Sequence, residues 1–122
     1  GDVVRNVPVV LRAMEAADSP TQVLIMEEHL DLMDEHLTMG GRSIPVVFIA
    51  DTGGAILGKW GPRPRYVQEV MEAFKANHPD REAPDYQEHL TATRQEMMRR
   101  YGEGTGYQAM IVQELRELLS RV

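Results

Sequence analysis

The chain has 122 residues, of which 43% are hydrophobic and 26% charged, the balance of a folded domain rather than of a disordered polymer. Its formal net charge is −6, and acidic residues interrupt the basic ones, which leaves no footprint for a phosphate backbone and argues against a nucleic-acid partner. There is no cysteine, no apolar run near the ~20 residues that span a bilayer and no signal-peptide pattern, so the expectation is a cytoplasmic protein without membrane contact, disulfide, thiolate metal site or thiol nucleophile of its own.

Gly1 rather than methionine stands first, from which we expect a processed or longer chain. From Asp2 to Ala17 the residues Val3, Val4, Val7, Val10, Leu11 and Met14 recur at three- and four-residue spacing, which predicts an amphipathic helix. Pro8 lies inside it and should bend it near Asn6 to Pro8. Asp18-Ser19-Pro20 ends it. Gln22 to Met26 reads as a buried strand, and Asp31 to Leu37 as a short helix stopped by Gly40-Gly41. Val46 to Ala50 and Ala55 to Lys59 flank Asp51-Thr52-Gly53-Gly54, the pattern of an antiparallel hairpin. After Gly61-Pro62-Arg63-Pro64, a helix puts Tyr66, Val67, Val70, Met71 and Phe74 on one face and closes at Asn77-His78-Pro79. Two further helices, one opened by Pro84 and running through Tyr86, Leu90, Met97 and Tyr101, the other from Tyr107 to Val122, read as an appended antiparallel pair broken at Gly102 to Gly106.

Three other signals have local explanations. Asp51-Thr52-Gly53 has the form of an aspartic-protease motif, but that chemistry needs two such carboxylates in a nearly all-strand fold, and an Asp here suits a hairpin turn. Glu27, Glu28, His29, Asp31, Asp34, Glu35 and His36 crowd together, yet the pattern reads as a solvated acidic face over Leu30, Met33 and Leu37. His78 and His89 stand apart from any Ser or Asp arrangement for nucleophilic catalysis. No metal site and no cofactor is called for.

The order of kinked helix, strand, helix, Ile44-Pro45, hairpin and helix, together with several motifs, resembles the later part of the thioredoxin-like superfamily. Members carry Trp-Cys-X-X-Cys at a helix start, with a kinking proline five residues beyond the second cysteine. Pro8 lies five beyond Val3. The closer match is to a bacterial subgroup reading Trp-Cys-Gly-Asp. In it a Leu-Asp-Leu-Met-Asp helix, a Gly-Gly-Arg-Ser-Ile-Pro segment and a Trp-Gly-Pro-Arg-Pro turn follow, here Leu30 to Asp34, Gly40 to Pro45 and Trp60 to Pro64. Four ordered motifs at compatible spacing make the resemblance specific over residues 1–76.

The resemblance implies an α/β fold lacking its first strand, helix and strand, with two additional C-terminal helices. Residues 1–76 would be the later part of the thioredoxin-like domain, and residues 77–122 a helical pair packed on it. It also implies a nucleophilic cysteine immediately before Gly1, with Val3 where the resolving thiol would stand. The Ile44-Pro45 bond would be cis, and the site would comprise Gly1, Asp2, Ser43, Ile44 and Pro45, the Ile44 backbone pairing with an extended substrate. A thiolate at that helix start is stabilised by free N–H groups and the helix dipole, while the Asp2 charge opposes it. Expected partners are protein or small thiol substrates at the cis-proline loop, and further copies of the chain through unpaired strand edges. The function implied is thiol–disulfide exchange in a complete single-cysteine form, with no catalytic thiol in these residues. The alternative is a non-catalytic binding or adaptor module.

Overall fold

In the computed structural model, which describes all residues 1–122, the periodic apolar segment at the start forms α1, Asp2–Ala16, continuous through Pro8. It buries Asn6, Val9, Val10 and Met14 on one face. Its end is a Schellman motif: Ser19 N–H donates to the Met14 carbonyl at 2.9 Å and Asp18 N–H to that of Glu15 at 3.0 Å. Asp18 takes the left-handed turn at φ 54°, a conformation that Asp tolerates better than most side chains do.

The chain divides into two units, Gly1–Arg63 with Gln108–Val122, and Pro64–Tyr107. The first holds α1, a 3-10 turn at Met26–Glu28, α2 at Leu30–Asp34, strands β1 at Val47–Ala50 and β2 at Ile56–Trp60, and most of α5, Gly106–Ser120. β1 and β2 are antiparallel, Val47 opposite Trp60 and Ile49 opposite Gly58, with a bulge before the Ala50–Ile56 pair. The turn between them is built by Asp51, whose Oδ1 accepts the N–H groups of Gly53 and Ala55, each at 2.9 Å. The carboxylate of the Asp-Thr-Gly sequence is thus occupied in holding a hairpin. Beside β2, α5 contributes Leu118, which lies over Gly58, and Glu114, which accepts the Trp60 indole N–H at 2.9 Å.

Two sequence expectations in this unit are corrected. The strand expected at Gln22–Met26 is absent: residues 21–25 have no regular structure and Met26 begins the 3-10 turn. The sheet has only β1 and β2, so no neighbouring backbone pairs with this stretch, and Val23, Leu24 and Ile25 are 68%, 45% and 57% exposed. The short helix ends three residues early. Glu35 and His36 N–H groups reach back only three residues, to Leu32 and Met33, and a Thr38–Gly41 turn with positive φ at Met39 and Gly40 takes over.

The second unit contains α3, Arg65–Asn77, and α4, Tyr86–Tyr101, which pack on each other. Phe74 and Tyr86 bring their rings to 5.2 Å. His78, expected to be isolated, stacks on His89 at 4.1 Å and on Phe74 at 5.3 Å, and His89 meets Asp85 at 3.1 Å. Tyr66 is exposed rather than part of the apolar face. Arg100 lies 4.4 Å over its ring, and donates to the Tyr66 carbonyl at 2.7 Å and to Glu69 at 2.9 Å. α4 falls in the same unit as α3, and α5 from Gln108 onward in the unit of the hairpin. No helix is long and apolar enough to cross a membrane.

Candidate functional site

Three segments distant in sequence are tied together within the first unit. The first is the N-terminal turn of α1. Gly1 is its N-cap and no side chain caps it, so the N–H groups of the opening turn have no partner within the helix. The second is the Ser43–Pro45 loop, whose Ile44–Pro45 bond is cis. The third is the loop after β2, where Gly61–Pro62 is also cis.

The ties between them are specific. Arg63 Nη2 donates to Asp2 Oδ2 at 2.7 Å and its Nε to the same oxygen at 3.2 Å. The two side chains are only 11% and 19% exposed, so water screens this pair less than a surface pair and its geometry is held more tightly. One turn further along α1, the fully buried Asn6 donates from Nδ2 to the Pro62 carbonyl at 3.0 Å. On the far side of the loop, Gly61 has φ +115°, and a Cβ there would collide with the Pro45 carbonyl oxygen. Only glycine lets the two proline loops approach this closely. The chain of contacts thus runs from Asp2 through Arg63, Pro62 and Gly61 to Pro45.

Gly1 is exposed and Asp2 half-buried at the helix start. Ser43 is half-buried and its N–H donates to the Gly41 carbonyl at 3.0 Å. Ile44 is exposed whereas Pro45 is buried. The neighbouring Arg42 is bound in a bidentate pair to Asp34, at 2.7 and 2.9 Å, and this hydrogen bond holds the Asp34 carboxyl below its ordinary range. From the crowded acidic segment, Asp34 is therefore engaged by Arg42, and His36 packs edge-on against Phe48 at 4.6 Å.

Sequence reasoning missed Asn6, Gly61, Pro62 and Arg63 as parts of this arrangement. The Trp60-to-Pro64 segment was identifiable as a motif, but its contacts with α1 lie 56 and 61 residues away along the chain, beyond what any local pattern encodes. Chemically, the arrangement offers a helix start that no side chain caps, an acidic side chain paired with a cation, and an exposed loop residue, Ile44.

Residues 1–75 match the family model described as Thioredoxin. No curated protein and no solved structure matches the chain.

Proposed function

The chain belongs to the thioredoxin family, and from that premise we propose that the junction of α1 with its two proline loops serves thiol–disulfide exchange in a form of the protein carrying one cysteine directly before Gly1. The observation that carries this reading is the set of ties from Asp2 and Asn6 to the Gly61–Arg63 loop, and from Gly61 to Pro45. In this reading these ties hold the uncapped helix start and the Ile44 loop to the same segment, Gly61–Arg63. A thiolate at that start would be stabilised by the free N–H groups and the positive end of the helix dipole.

The exchange is a pair of displacements. The thiolate attacks one sulfur of a substrate disulfide, forming a mixed disulfide and releasing the other sulfur as a thiolate. Val3 stands where a resolving cysteine would be, so a second thiol, glutathione or a partner protein's, must attack the mixed disulfide and return the protein thiolate. Gly1, Asp2, Ser43, Ile44 and Pro45 form the substrate-facing surface in this proposal. Ile44 offers free backbone groups to an extended peptide, the pairing mode of β-augmentation. Arg63 adds a role that the sequence did not suggest. By pairing with Asp2 it offsets the carboxylate charge that would otherwise oppose the thiolate.

The absence of cysteine from these residues favours a second reading, a binding module that uses the same loop without chemistry. The test is to place one cysteine before Gly1, titrate it by its ultraviolet thiolate absorbance, and incubate the protein with glutathione disulfide. Exchange chemistry predicts a thiol pKa below the ordinary ~8.5 and an isolable mixed disulfide. A thiol at or above that value that forms no mixed disulfide would leave the binding module as the better account.

A further inference from the structure

Apart from the proline loops, the first unit has a groove of about 740 Å³ between α1 and α5. Val9, Met14, Val112, Leu115 and Leu119 form its apolar part, with Val112 and Leu119 only partly covered. Ala13, Ala16, Ala17 and Ala109 also line it, and side chains of that size keep the two helix backbones accessible from the groove. Its polar members are Arg12, Arg116, Gln108 and Gln113. No acidic residue lines it, although the chain has 19 acidic residues against 13 basic ones. Arg12 and Arg116 are exposed, one on each helix. Unlike Arg42, Arg63, Arg99 and Arg100, they are engaged by no carboxylate.

We infer that this groove docks an amphipathic helix of a partner protein, with acidic residues flanking its apolar stripe. The lined stretch runs from Val9 on α1 to its C-cap Ala17, and from Gln108 to Leu119 on α5, roughly 12 and 16 Å at about 1.5 Å per residue. That accommodates two to three turns of a third helix, whose apolar stripe fills the trough while its carboxylates meet the two guanidinium groups. An arginine fork suits a carboxylate in two-point geometry, and two unengaged cations on opposite walls set where such a helix's charges must fall. The site is separate from the proposed exchange surface and needs no thiol.

The test uses the full chain and a fluorescein-labelled synthetic helix of ~14 residues, about four turns, with a Leu/Ala stripe bordered by Glu. A second peptide replaces every Glu with Lys. A third keeps the composition but scrambles the stripe. Fluorescence anisotropy should detect the Glu peptide, with at least tenfold weaker binding for the Lys and scrambled peptides and for the R12E/R116E protein. Both substitutions are on exposed positions, and circular dichroism with Trp60 emission verifies that the variant remains folded. Amide shifts should concentrate at Ala13, Ala16, Ala109 and Val112. Equal binding of Glu and Lys peptides, shifts elsewhere, or no binding at millimolar peptide would overturn the inference. So would saturation of the groove by monomeric dodecanoate with no effect from the peptide, or a concentration-dependent dimer in sedimentation whose interface maps to these residues.

Discussion

Gly61 is the residue at which the two proline loops come closest, and Gly61→Ala isolates what that approach costs. Two effects add. At φ +115° an L side chain is strained by about 1–3 kcal/mol. The new Cβ also meets the Pro45 carbonyl oxygen, with the Pro45 carbonyl carbon at 3.3 Å and the Val46 Cα at 3.5 Å. All three are backbone atoms, so relief requires moving the loop, and overpacking of this kind adds about 1–3 kcal/mol. The sum, about 2–6 kcal/mol, is a large part of the stability of an ordinary domain. Two reference substitutions separate the contributions. Gly40→Ala meets open space at φ +79° and should show the backbone strain alone, ~1 kcal/mol. Gly58→Ala has no positive φ and meets the Leu118 Cδ1 at 2.6 Å, the end of a side chain that can rotate, so its cost should also fall below that of Gly61→Ala. Urea unfolding monitored through the buried Trp60 measures all three. A Gly61→Ala midpoint equal to that of Gly40→Ala would show that the loops are not in contact, and the argument for the assembled site would fail.

Asn6→Ala should lose about 1–3 kcal/mol in the same assay, because it leaves the Pro62 carbonyl without the donor it has at 3.0 Å; a change within error would mean that the bond is absent in solution. Across a double-mutant cycle, Asp2→Asn and Arg63→Gln should couple by about 1–2 kcal/mol, above the usual surface pair because both side chains are largely covered, and additive effects would exclude the ion pair. Hydrogen bonds from Arg99, then Arg100, lower the Glu96 carboxyl from 4.5 to about 2. Its folded pKa lies below the unfolded one, so the stabilisation it gives is complete above about pH 4.5 and is lost as the pH falls toward 2. Carbon-13 titration of the Glu96 carboxyl should show this depressed midpoint, rising in Arg99→Ala; an ordinary midpoint in the wild-type chain would refute the pairing.

What could be read from the sequence follows the range of the interactions involved. The hairpin was legible because Asp51 makes its turn with groups two and four residues away. The helices were legible because their apolar period is local, although the end of α2 was not, since it depends on the Thr38–Gly41 turn. The strand expected at Gln22–Met26 failed for the opposite reason. Its composition suits a strand, but a strand exists only through pairing with a neighbour, and residues 1–122 place none beside it. The family motifs led to the Ile44–Pro45 loop, but not to the Arg63 and Asn6 contacts, which join residues 61 and 56 apart. The placement of α5 beside the hairpin likewise depends on Glu114 and Leu118 finding Trp60 and Gly58 across the fold, and no spacing along the chain announces that.

The uncovered Val23-Leu24-Ile25 stretch has a consequence for how the chain behaves at concentration. Three consecutive exposed apolar residues form an adhesive strip of the kind that recruits identical strips. Glu27, Glu28 and Asp31, a few residues further on, act as gatekeepers whose mutual repulsion keeps two such strips apart. Solubility is therefore a property of the chain's net charge as much as of its fold. As the solution approaches the isoelectric point of about 5.2, the overall charge that restrains association vanishes while the strip remains exposed.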